Sequence, residues 1–229
     1  MSTAYQVACC LAASLLLAVA GCLAAGCASG GDRAAATLDM TKPVFVEMST
    51  SAGDITLELD PVRAPISVEN FMAHARAGHY DGTVFHRVIP TFVIQGGGWT
   101  PDLKERAKAD AAAGRPDATI KNEWQNGLKN ARGTIAMARE SEPDSATREF
   151  YINVADNARL DTAREKTGNA GYAVFGRVIH GWEAVEAIRT GKTGPRPEIK
   201  VDDGSMNDVP LDPVVIRSVR VIDRPDVHE

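Results

Sequence analysis

In FHRVIPTFVIQGGGW, residues 85–99, a guanidinium and a carboxamide stand eight residues apart in a run that is otherwise mostly β-branched and aromatic. A guanidinium is costly to bury without a partner, so Arg87 needs a reason to be there. A turn at Pro90-Thr91 would fold the segment back and bring Gln95 toward Arg87. Such a pair, bordered by apolar groups, could receive a peptide carbonyl beside a ring. Strand alternation would put Val93 and Gln95 on one face and Phe92 and Ile94 on the other.

Other chemistries find little support. The five histidines, His74, His79, His86, His180 and His228, form no H-E-x-x-H, and the chain after the leader has no C-x-x-C. No G-x-S-x-G elbow is present, and Gly96-Gly97-Gly98 lacks the flanking pattern of a nucleotide-binding loop. A covalent, metal or cofactor mechanism is therefore not expected. His86 reads as a structural histidine.

The elements that must position Arg87 and Gln95 are short. VFVEMST and DITLELD flank Ser51-Ala52-Gly53 as a hairpin. PISVENFMAHARAG reads as a helix with Pro65 in its first turn, Glu69 near its positive end and Gly78 after its last residue. Ile66, Phe71 and Ala75 would form its inner face. GWEAVEAIRTG reads as a second helix, with Val185 and Ile188 inward. The remaining runs, TVFHRVI, TFVIQGG, GTIAMAR, EFYINVA, YAVFGRV and VVIRSVRVI, are strand-like. Eight strands and two helices without βαβ alternation predict a mainly β, antiparallel fold. Closure into a barrel would remove the exposed edges, and a sandwich fits the same pattern. The charged stretch 101–118 reads as a solvated loop or short helix without a role.

Composition divides the chain. Residues 1–31 carry no Asp, Glu, Lys or Arg, whereas all 25 basic and 30 acidic residues follow them. The apolar run 7–20 is short for a membrane span, and with the small residues after it resembles a secretory signal peptide. All four cysteines lie in this leader, so no disulfide framework is expected in the folded part. VAGC, ending at Cys22, resembles a bacterial lipobox, and AAGC, ending at Cys27, is the alternative. The expectation is a signal peptide over 1–27, a tether over 28–42, a folded domain over 43–223 and a tail over 224–229. Lipidation would anchor the domain to a membrane without a spanning helix. The mild acidity, without a Lys/Arg block, makes nucleic acid an unexpected partner.

FHRVIPTFVIQGG resembles the signature of cyclophilin-type peptidyl-prolyl cis-trans isomerases. The likeness continues in family order through GTIAMAR, EFYINVADNARLD and GYAVFGRVIHG, and is nearest to the periplasmic bacterial branch. It implies a closed eight-stranded antiparallel β-barrel capped by two α-helices, acting as a monomer on proline-containing polypeptides without a cofactor. It assigns Arg87 as the donor toward the proline nitrogen and Gln95 as the group that positions the substrate carbonyl. It places Phe92, Val93, Tyr151 and Leu160 around the proline ring. Ala138 and Arg139 would offer backbone to the residues before the proline.

Glu149, Tyr151, Arg159 and Tyr172 depart from the residues common in the family, which are Gln, Phe, Trp and His. Glu149 could pair with Arg87 and compete for its donors, while Tyr151 keeps the ring. Arg159 removes an aromatic wall, so cyclosporin-type macrocycles should bind weakly. The leading expectation is a secreted, lipid-anchored periplasmic isomerase that assists folding. The alternative is a catalytically weak peptide-binding or chaperone module using the same groove.

Overall fold

The computed structural model describes residues 39–225 except 113, 115–116 and 202–203. The leader with Cys22 and Cys27, most of the 28–42 tether and residues 226–229 lie outside the described residues.

Period-two alternation fixes the first hairpin. In β1 (Val44–Thr50) Val44, Val46, Met48 and Thr50 are buried, and in β2 (Gly53–Leu59) Ile55, Leu57 and Leu59 are buried. The chain then forms α1 (Pro65–Arg76), β3 (Val84–Val88), β4 (Val93–Trp99) and α2 (Arg106–Ala112). It continues through β5 (Thr134–Met137), β6 (Phe150–Asn153), β7 (Val174–His180) and α3 (Trp182–Arg189) to β8 (Thr193–Val201), β9 (Gly204–Pro210) and β10 (Ile216–Ile222). Eight strands make one antiparallel sheet in the order β10-β1-β2-β7-β5-β6-β4-β3. Its end strands do not share a full ladder. They meet at a bridge between Val84 and Val215, supported by Ile216 N–H donating to Thr83 O at 2.7 Å.

Two expectations need correction. Among the described residues there are three α-helices rather than two, and α2 is the short helix that is one of the two readings of 101–118. There are also two further strands, β8 and β9, which pair only with each other in a ribbon outside the main sheet. Pro195, Pro197 and Pro210 argue against strands in the sequence, but a ribbon with open edges tolerates residues that cannot donate.

The core fills the concave side of the sheet. Ile94, Ile135 and Ile152 pack there with Phe71, Tyr80, Phe150 and Phe175, and full burial of one such side chain contributes about 1.5–3 kcal/mol. Phe71 meets Phe150 edge to face, with centroids 5.6 Å apart. Helix α1 buries Val68, Phe71, Met72 and Ala75, whereas Ile66 is exposed, contrary to the expected inner face. Its N-terminus has no acidic residue in the first turn and no side-chain cap of its own. Glu123 performs that task from a distant loop, accepting from the amides of Ile66 and Ser67 at 3.1 and 2.8 Å. Helix α3 turns Val185 and Ile188 inward as expected. Among the described residues, no helix is long and apolar enough to cross a membrane.

Candidate active site

One row of cross-strand neighbours builds the site. Arg87 lies opposite Gln95, Gln95 opposite Tyr151, and Tyr151 opposite Ala136. Residues directly opposite in an antiparallel sheet project from the same face. The neighbouring row, Ile94, Ile152 and Ile135, enters the core. Arg87 and Gln95 therefore stand on the outer face, together with Tyr151 and Ala136.

On that face a second apolar cluster forms from Val93, Ala136, Ala138, Tyr151, Leu160 and Val174, with Phe92, Leu128 and Tyr172 packed at its margin. Six residues singled out in the sequence, Phe92, Val93, Ala138, Tyr151, Leu160 and Tyr172, thus converge. The expected separation of Phe92 from Val93 fails because β4 starts at Val93. Phe92 sits in the preceding turn, outside the alternation, and swings to the side of Val93.

Glu149 departs from expectation. Its carboxylate does not pair with Arg87. It accepts from Gln95 Nε2 at 2.8 Å and from Trp99 Nε1 at 3.1 Å, with His86 Nε2 at 3.5 Å. Gly98 makes this reach possible. Gly97 adopts φ +94°, and a Cβ at Gly98 would overlap the Glu149 carboxylate. His86 is buried as expected, and loss of hydration pushes its pKa down, with Arg87 acting in the same sense and Glu149 against it. It is neutral at pH 7. The Arg87 guanidinium makes no hydrogen bond or ion pair with the described residues, so its donors are uncommitted on the face that carries the apolar slot.

An asparagine network holds the slot from beneath. Tyr151 OH donates to Asn130 Oδ1 at 2.7 Å, and Asn153 Nδ2 donates to the same oxygen at 3.1 Å. Asn157 Nδ2 donates to Asn153 Oδ1 at 2.7 Å and to the Phe92 carbonyl at 2.9 Å. Asn130 Nδ2 reaches Asp161, next to Leu160, at 2.9 Å. These groups tie Phe92, Tyr151 and Leu160 into one frame. Sequence reading missed Trp99 and the three asparagines. The only available hint was the spacing of Asn153 and Asn157, which alone does not reveal a shared partner.

Arg139 and Arg159 close the rim. The Arg139 guanidinium donates to the carbonyls of Thr167, Ala170 and Gly171 at 3.0, 2.9 and 2.9 Å and lies 4.4 Å over the Tyr172 ring. Its side chain therefore pins two loops together. The Ala138 amide is also engaged, donating to Glu149 O at 2.9 Å, so only part of the expected backbone edge is open. Arg159 is exposed and stacks 4.4 Å over Phe92.

Residues 45–221 match the family model for cyclophilin type peptidyl-prolyl cis-trans isomerases. The chain is 49% identical over 177 residues to a peptidyl-prolyl cis-trans isomerase of Streptomyces antibioticus, covering 77% of this chain and 98% of that one. It is 46% identical over 182 residues to peptidyl-prolyl cis-trans isomerase A of Dickeya dadantii, covering 80% and 86% respectively. A Cryptosporidium parvum cyclophilin crystal structure superposes with a TM-score of 0.61 at 23% identity, over 80% of this chain and 99% of that one, a likeness of fold.

Proposed function

The chain belongs to the cyclophilin-type peptidyl-prolyl cis-trans isomerase family, and from that membership we propose that it accelerates X-Pro bond rotation with Arg87, Gln95 and the slot beside them. The observation that carries this reading is an uncommitted guanidinium opposite Gln95 on the face that bears Phe92, Val93, Tyr151 and Leu160.

An amide resists rotation because its nitrogen lone pair is shared with the carbonyl, giving a barrier of about 18–20 kcal/mol. Donation from Arg87 toward the proline nitrogen holds that pair on nitrogen as the bond twists. The apolar slot takes the proline ring and displaces water, which strengthens the donation. Gln95 spends one N–H on Glu149, which fixes its amide plane and leaves a second N–H for the substrate carbonyl. A barrier lower by about 7 kcal/mol gives a rate near 10⁵-fold higher. No proton changes hands.

The remaining parts of the reading rest on the sequence. The leader and its Cys22 or Cys27 support export across the inner membrane, lipid attachment and work on envelope proteins in the periplasm. The chain acts as a monomer, and the Val84–Val215 bridge supports a barrel-like arrangement of its sheet. Intact mass of the mature protein tests processing and lipidation. A second reading, a peptide-binding module of low turnover, is favoured by the carboxylate of Glu149 beside Gln95. Cis-to-trans conversion of a proline tetrapeptide, measured for the wild type and Arg87→Ala, separates the two. A wild-type rate no faster than the spontaneous one selects the binding module.

A further inference from the structure

Away from the groove, His74, His79 and Asp117 each bring one ligand atom to a common point, all within 4.8 Å of one another. We propose that these side chains form a binding site for a divalent first-row transition ion held in octahedral or tetragonal geometry.

The chain reversal after α1 makes the site. His74 lies in the last turn of α1, and Gly78, at φ +69°, turns the backbone so that His79 folds back on it. The two Nδ1 atoms end 2.8 Å apart. With metal–nitrogen bonds of about 2.0–2.1 Å, ligands at a right angle are about 2.9 Å apart and ligands at a tetrahedral angle about 3.4 Å. The observed separation, which is also that of an N–H···N hydrogen bond, lies nearer the right-angle value, a geometry nickel(II) and copper(II) adopt more readily than zinc.

Asp117 completes the set and is already oriented. Arg148, with a fully buried side chain, donates to both oxygens of Asp117 and to Asp110 Oδ2 at 2.9 Å. A carboxylate has about four lone-pair positions, so the two given to Arg148 leave capacity for an ion. The guanidinium then serves as the outer partner that fixes a metal-binding carboxylate. Charge points the same way. One guanidinium and two carboxylates beside the imidazoles sum to −1, which a divalent cation offsets. His74 and the Asp117 side chain are buried, while His79 is half-buried and is the exposed edge of the group.

Without an ion, one imidazole donates its Nδ1–H to the other. Binding through both Nδ1 atoms requires the donor ring to carry its proton on Nε2 instead, so loading shifts a tautomer.

The test is calorimetric titration of untagged, chelator-treated protein with Ni²⁺, with Zn²⁺ in parallel. The expected result is one Ni²⁺ per chain at micromolar dissociation constant and weaker Zn²⁺ binding. His79→Ala, a change at a half-buried site, should weaken Ni²⁺ binding by about 100-fold or more, and Asp117→Asn by about 10-fold. His180→Ala and His228→Ala should leave it unchanged, and His79→Ala should keep full isomerase activity. Absence of one-to-one binding, or binding that survives His79→Ala, overturns the proposal whatever the isomerase assay shows. Tighter Zn²⁺ than Ni²⁺ binding overturns the geometry.

Discussion

Arg87 and Gln95 stand directly opposite each other across β3 and β4, and only Gln95 is tethered. The carboxylate of Glu149 holds the amide at 2.8 Å and the Trp99 indole at 3.1 Å. The guanidinium is left to the substrate.

Arg87→Ala should lower kcat/KM by about 10²–10³-fold, equivalent to roughly 3–4 kcal/mol of barrier. Because the Arg87 side chain makes no hydrogen bond or ion pair with the described residues, folding stability should change by no more than about 0.5 kcal/mol. A tetrapeptide assay beside a urea melt reads both. Equal losses of activity and stability would point to a structural arginine.

Glu149→Gln should reduce turnover rather than raise it. Gln95 and Trp99 each donate to a different carboxylate oxygen, and a carboxamide offers one acceptor oxygen where the carboxylate offers two. Loss of one charge-assisted bond, about 1.5–3 kcal/mol in full and partly recovered by repacking, gives an expected three- to tenfold fall in kcat/KM. A rise would mean that Glu149 restrains Arg87.

Arg148→Met should destabilise the protein by about 3–5 kcal/mol, because it leaves Asp110 and Asp117 buried without their cation. Chemical denaturation measures the loss. Protease cleavage within 101–118 should accelerate, since this ion cluster ties α2 to the segment that leads into β6.

Acid should weaken the fold through His74. Burial lowers its pKa from 6.5 to about 4, so between those values the unfolded chain binds more protons than the folded one. Stability is then full above pH 6.5 and declines as pH falls toward 4, by up to about 3 kcal/mol. Buried His86 shifts in the same direction. Urea midpoints in chelator across this window check the slope, which His74→Gln should flatten.

Arg159→Trp should tighten binding of cyclosporin-type macrocycles by about tenfold or more, because a flat ring replaces an exposed guanidinium over Phe92. Fluorescence titration of both proteins decides this. Nanomolar binding by the wild type would show that the lost wall is unimportant.

Local chemistry made much of this protein legible in its sequence. Alternating β-branched residues marked the eight strands of the sheet, and Pro65 and Gly78 bracketed α1, because those preferences act within a few residues. FHRVIPTFVIQGG and the motifs after it carried the family and the names of the slot residues. The tertiary structure decided which groups meet. Glu149 turned to Gln95 and Trp99 instead of Arg87 because Gly98 clears its path. A glutamate 57 residues away caps α1, Asn130, Asn153 and Asn157 join beneath the slot, and the unassigned 101–118 stretch buries Asp110 and Asp117 against Arg148. A hydrogen bond or ion pair between distant residues depends on distances set only when the sheet curves and its loops pack, and no local pattern encodes them.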